Sequence, residues 1–222
     1  EVERIDNLGS TVIFDALVSG EIDVYVDYTG TLWANAMDRD APIERHAMYA
    51  AVTSWLYETH GVVALGRLGF ENAYGFALPR GIAREAGVRT IADLPQLGEY
   101  VIGGDAEFFA RPEWTRVRDA YRLEPAATRS MDATFMYSAV RDGAVDVITA
   151  FTSDGRIAAY DLAVIEDPLG ALPPYDAVVL LSPDALERPA IARTLGPLVG
   201  AIDAELMREA NAHVDVERGS VR

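Results

Sequence analysis

LGSTVIFDALVSGEIDVYVDYTGT, residues 8–31, sets out the alternation on which the fold rests. Gly9-Ser10-Thr11 leads into a helix carrying Ile13, Phe14, Leu17 and Val18 on one side. Gly20 closes it, since glycine accepts the left-handed conformation that ends many helices. Ile22 to Tyr25 reads as a strand, and Tyr28-Thr29-Gly30-Thr31 turns into a further helical segment.

The same alternation extends outward. Upstream, Val2 to Ile5 reads as a strand. Downstream, residues 42–60 form a longer helix with Met48, Ala51, Val52, Trp55 and Leu56 near helical spacing, ending before Gly61. Strands are expected at Val62–Leu65, Asn72–Leu78, Tyr100–Gly103, Val145–Ala150, Leu162–Glu166 and Tyr175–Leu181. Helices are expected at Ile82–Glu85, from Thr90, at Pro112–Tyr121 and at Ala133–Arg141, and residues 184–212 read as two terminal helices with Leu195, Leu198, Ile202 and Leu206 as their apolar stripe. This is an α/β pattern. It suggests two α/β lobes, the chain crossing near Tyr74–Leu78 and returning near Pro173–Tyr175, so that residues 1–76 with 176–222 form one lobe and 77–175 the other. Lobes joined this way close on a ligand through a few hinge residues.

Composition narrows the function. The 222 residues are 50% hydrophobic and 24% charged, ordinary for a globular protein. The formal charge is −16 and all 19 basic residues are arginine, a balance that argues against nucleic acid, whose phosphates need clustered positive charge. It weakly favours a cationic ligand, although an acidic surface also serves solubility alone. The absence of cysteine removes disulfides and thiolate chemistry. No apolar run approaches the ~20 residues needed to span a bilayer, and the opening EVERIDNLGS reads as strand and turn, not as an export signal.

Catalytic motifs are missing: there is no nucleophile elbow, phosphate loop or metalloprotease helix. His46, His60 and His213 lack metal-ligand spacing, and Asp38 and Asp40 begin a calcium-loop pattern that neither the glycine nor the closing glutamate completes. What stands out is aromatic residues beside small turn residues at expected strand ends: Tyr28 in DYTGT, Tyr74 in ENAYG, Phe151 in AFTSDGR and Tyr175 in PPYD. Ring faces there suit a trimethylammonium group, each contact being worth roughly 0.5–2 kcal/mol. The same residues would also serve as ordinary core and rim aromatics.

Several stretches resemble, in order and nearly end to end, the glycine betaine/carnitine/choline-binding proteins of osmoprotectant ABC importers, of the type II periplasmic-binding-protein fold. They are LGSTVIFDALVSGEIDVYVDYTGT (8–31), ENAYGFALP (71–79), RTIADL (89–94), EFFARPEW (107–114), YSAVRDGAVDVITAFTSDGRI (137–157) and DLAVIEDPLGALPPYDAVVLL (161–181), with MREAN (207–211) resembling the closing helix. The resemblance implies two α/β lobes with a ligand cleft and hinge, no enzymatic activity, no cofactor and no metal. It implies an aromatic cage of Tyr28, Tyr74, Phe151 and Tyr175, with phenylalanine where the family more often has tyrosine. Thr31 and Arg111 would secure a ligand carboxylate, and Asn72 would flank the cage with its amide. Asp154 and Arg156 read as a structural ion pair. Family members usually begin with a further strand and helix bearing a lysine, and this chain starts past that point and has no lysine.

The expected function is therefore the substrate-binding component of an ABC importer for glycine betaine, proline betaine, carnitine or choline. Its partners would be a permease and its ATPase, in a periplasmic or extracytoplasmic setting, with membrane contact only through the permease, a fusion to it or an anchor. Two alternatives stand beside it. One is a sensory domain for a small methylated amine. The other is an enzyme on a related scaffold, such as a deaminase, for which Asp27 and Asp154 are the available bases.

Overall fold

The computed structural model describes residues 3, 5, 9–39 and 41–217. The strand expected over residues 2–5 falls mainly outside them, as does Asp40. The described chain forms two compact units, one of residues 1–70 and 174–203, the other of 71–173 and 204–222.

The first unit opens with α1 (Ser10–Val18) and β1 (Val24–Tyr28). The strand starts two residues later than expected because the Ile22 amide still closes on the Ala16 carbonyl at 3.1 Å, keeping 21–23 in the turn that ends α1. A one-turn helix α2 (Thr29–Thr31) follows and widens at Leu32–Ala36, where the Met37 amide reaches back five residues to the Leu32 carbonyl. Then comes α3 (Arg45–His60), capped by the Glu44 carboxylate and ended by Gly61 at φ 67°. Met48, Val52 and Leu56, one turn apart on α3, pack with Leu17 and Leu32. The strand expected at Val62–Leu65 runs as β2 (Val63–Glu71).

The second unit is built on β3 (Tyr74–Pro79), α4 (Arg80–Ala86), a 3₁₀ turn Ile91–Leu97 started by a Thr90–Asp93 capping box, and β4 (Val101–Gly104). It continues through α5 (Ala106–Ala110), α6 (Pro112–Tyr121), β5 (Ala127–Ser130), α7 (Ala133–Arg141), β6 (Val147–Phe151), α8 (Gly155–Ala159) and β7 (Leu162–Ile165). The strands order β5-β4-β6-β3-β7, with β4 parallel to β5 and β6, and β3 antiparallel to β6 and β7. The two-residue period sorts the core: Phe76, Leu78 and Val147 join Ile102, Phe108 and Trp114, whereas Ala77 and Ile148 join Met136, Val140 and Ile157.

The chain returns to the first unit in β8 (Asp176–Leu181), buried along its whole length and central in the order β1-β8-β2. Instead of two terminal helices, the remainder divides into α9 (Pro183–Leu186), α10 (Pro189–Leu195), a 3₁₀ turn Gly196–Leu198 and α11 (Ala204–Asp215). Pro189 and Pro197 interrupt helical hydrogen bonding, and Leu198 and Leu206 are exposed, so the expected apolar stripe is not buried as one face.

The compact units also divide elsewhere than at 76/77 and 175/176. The first break falls after Phe70, the second before Pro174, and residues 204–222 cluster with the second unit instead of returning to the first. The reason lies at α8. Gly155 has no side chain where the α11 backbone at Ala212 passes, Arg208 donates through Nε to the Thr152 carbonyl at 2.6 Å, and Asn211 donates to the Ser153 carbonyl at 2.8 Å. Gly155→Ala is expected to force α11 off this seat and to cost about 1–3 kcal/mol by urea denaturation, with helix content kept in the folded baseline.

Candidate functional site

In each unit an antiparallel register brings expected site residues together. β1 pairs with β8 so that Tyr28 lies opposite Ala177 and Val24 opposite Leu181. The end of one strand therefore meets the start of the other, and the Thr29–Thr31 turn adjoins Tyr175-Asp176. A Cβ added to Gly30 would meet ring atoms of Tyr175 at 2.6 Å, so the Tyr175 ring rests on the turn itself. Thr29 Oγ1 accepts the Asp176 amide at 3.0 Å. Asp176, itself buried, takes Arg45 at 2.6 Å and Arg67 at 3.5 Å. Tyr28, Thr31 and Tyr175 are thus neighbours on one unit.

Beside them Thr31 lines a small cavity of about 40 Å³ with Asp27, Ser10, Thr11 and Asn35. Asp27 is 2% exposed; Oδ1 accepts the Tyr28 amide at 2.7 Å, yet burial pushes its carboxyl up to about 6. Burial, followed by the neighbouring Asp27, also raises the Tyr28 hydroxyl, keeping that ring neutral.

The second unit gathers the other set. Tyr74 on β3 lies directly opposite Phe151 on β6, with ring centroids 5.0 Å apart. Phe108, which sequence reasoning did not single out, packs on Tyr74 at 4.8 Å. The Arg111 guanidinium stands 5.7 Å from the Tyr74 centroid and pairs with Glu107, one helical turn back. The Tyr74 hydroxyl donates to Asp105 Oδ1 at 3.5 Å, and burial, then Asp105 and Glu107, push it up to about 12. The Glu107–Arg111 spacing was the available signal for this acidic neighbour. Asn72 is tied to the loop after β6: its Oδ1 accepts the Ser153 hydroxyl at 2.9 Å, engaging part of the amide expected to flank the cage.

Phe151 is held by its surroundings. Its amide donates to the buried Tyr137 hydroxyl at 3.0 Å, while Thr152 Oγ1 donates to the Glu71 carbonyl and accepts the Ala73 amide, both at 3.0 Å. Asp154 and Arg156 form an ion pair at 2.5 Å, with Arg156 4.1 Å from the Tyr137 centroid. Among the described residues no group of three or more histidines, aspartates or glutamates is arranged to hold a metal, and no helix is long and apolar enough to cross a membrane.

The chain resembles known proteins along nearly its whole length. A family model described as the substrate binding domain of ABC-type glycine betaine transport systems matches residues 2–222. An ergothioneine transport permease/ergothioneine binding protein of Helicobacter pylori is 26% identical over 215 residues, covering 96% of this chain and 38% of that protein. A carnitine transport binding protein of Listeria monocytogenes is 28% identical over 221 residues, covering 97% of this chain and 72% of that protein. A solved structure described as a glycine betaine/carnitine/choline ABC transporter matches at TM-score 0.91 and 27% identity, covering 96% of this chain and 80% of that one. The fold is that of the type II periplasmic binding proteins.

Asp27 has a consequence for stability. Its folded carboxyl holds a proton up to about pH 6, against an ordinary value of 3.8, so the stabilisation is complete below that ordinary value and is lost as pH rises through 6. Asp27→Asn, which keeps an acceptor for the Tyr28 amide, is expected to remove this loss, on the order of 2–3 kcal/mol between pH 4 and 7. Denaturant midpoints of both proteins across that range measure it.

Proposed function

The chain belongs to the family of substrate-binding domains of ABC-type glycine betaine transport systems, a family of transport binding proteins and not of enzymes, and from that premise we propose that it captures a small quaternary-ammonium osmoprotectant in an aromatic cage. The observation that carries the ligand class is the gathering of aromatic rings: Tyr74 beside Phe151, tilted with centroids 5.0 Å apart, on one unit, and Tyr175 on the turn that follows Tyr28 on the other. Neutral tyrosine rings attract a methylated ammonium through their quadrupole and desolvate its methyl groups without proton exchange. Arg111 and Thr31 take the carboxylate of a betaine or carnitine, with Asn72 contributing through the part of its amide that Ser153 leaves open. Choline has no carboxylate to offer them.

Family membership ties the domain to an ABC permease. We place an ATPase behind that permease and the domain itself on the extracytoplasmic side, where a substrate is first met. The carnitine-binding relative supports the same ligand class, and the ergothioneine-binding relative joins a permease and a binding protein in one name.

Isothermal titration with glycine betaine and with choline tests the reading. One ligand per chain is expected, with Tyr175→Ala and Tyr74→Ala each weakening binding at least tenfold. Arg111→Gln is expected to weaken glycine betaine by roughly 10- to 100-fold, the range of a charged hydrogen bond, and to leave choline within a few-fold. Absence of binding of either ligand by the folded protein would sink the assignment.

A further inference from the structure

Tyr175 sits closer to the main chain than a side chain at position 30 would permit. A Cβ on Gly30 would lie 2.6 Å from Cε1 and 2.7 Å from both Cδ1 and Cζ of the ring. Three adjoining ring atoms at nearly equal distance mean that the face of the ring, not its edge, lies on the Gly30 backbone. Gly30 belongs to the helical turn α2 and carries no left-handed φ, so backbone conformation does not demand glycine there. Only the ring does.

The main chain that carries the ring is tied to the same turn. The amide of Asp176 is held by Thr29 Oγ1 at 3.0 Å, and Thr29 is 1% exposed. The Asp176 carboxylate, in a residue 7% exposed, is held by Arg45 at 2.6 Å and Arg67 at 3.5 Å. Arg67 is in turn stacked 4.9 Å from the centroid of Tyr49. The strand start that bears Tyr175 is therefore anchored at its amide and at its next side chain.

We propose that Gly30 is a positioning residue of the ligand site: its missing side chain sets how deep the Tyr175 ring stands, and Thr29 with the Arg45–Asp176–Arg67 clamp holds the main chain that carries the ring. This role rests on the proposed binding of a quaternary amine. A methyl at position 30 must push the ring by roughly 1 Å to reach ordinary contact distance, more than a preorganised site tolerates. Because the displaced group serves the methylated nitrogen, carboxylate-bearing and carboxylate-free ligands lose affinity together.

The test compares the protein with Gly30→Ala, Tyr175→Ala and the double variant, by titration with glycine betaine and choline and by thermal unfolding. Gly30→Ala is expected to weaken both ligands tenfold or more and to equal degree. Its effect on the midpoint should reverse sign with the background: a lower Tm when the ring is present, and a higher Tm in Tyr175→Ala, where alanine simply improves a helical position. Wild-type affinity in Gly30→Ala overturns the role while the binding assignment stands. A Tm lowered equally in both backgrounds overturns it as well, since Gly30 would then act independently of the ring. If the wild type binds neither ligand, the binding assignment falls and this role with it.

Discussion

Antiparallel pairing in register is the constraint on which the candidate site depends. Two strands running in opposite directions bring the last residue of one beside the first residue of the other, whatever lies between them in the chain. Tyr28 and Ala177 meet in this way, as do Tyr74 and Phe151. Residues separated by about 150 positions in the first case thereby share one small surface. A slip of one residue would turn every side chain of the strand to the opposite face. In β3 and β6 neighbouring residues pack into different clusters, and at the start of β8 the Asp176 amide and carboxylate are tied to Thr29, Arg45 and Arg67, so packing and buried polar contacts hold the register and the register fixes the aromatic neighbours.

Polar groups then immobilise what the register has gathered. In the first unit a threonine hydroxyl and two arginines hold the residue after Tyr175; in the second a tyrosine hydroxyl and a threonine hold Phe151 and the loop that follows. These are buried or half-buried contacts, where removal of a partner strands the other and the geometry is correspondingly stiff. A cation–π site needs such stiffness, because its attraction depends on where the ring face points. The arginines divide between structural and surface duty: Arg45, Arg67 and Arg156 are committed to carboxylates of the scaffold, whereas Arg111 pairs with the exposed Glu107 and stands beside Tyr74.

Much of the fold was legible in local signals. Glycines at positions 20, 61 and 143 mark helix ends, and all three adopt positive φ. Pro112–Tyr121 and Ala133–Arg141 are helices over the residues expected, because proline at the first position and aspartate at the cap are strong start signals. Reading failed where the cause was not local. β5 is exposed along its length and is a strand only because the β4 backbone pairs with it. The final helix looked like part of the first lobe by its place after β8, but Gly155 and two side chains from α11 seat it on the second unit.

Sequence by itself determined the α/β alternation, the helix boundaries set by caps and prolines, the absence of thiol chemistry, and the motifs that carry the family resemblance. These depend on neighbours a few residues apart, where propensity and hydrogen-bond geometry act. Tertiary structure decided which aromatics face one another, that Phe108 backs Tyr74, that Asn72 spends its carbonyl oxygen on Ser153, and that Gly30 is the floor under Tyr175. Each of these joins residues far apart in the chain, and only the packing of strands against a common core brings them within contact distance.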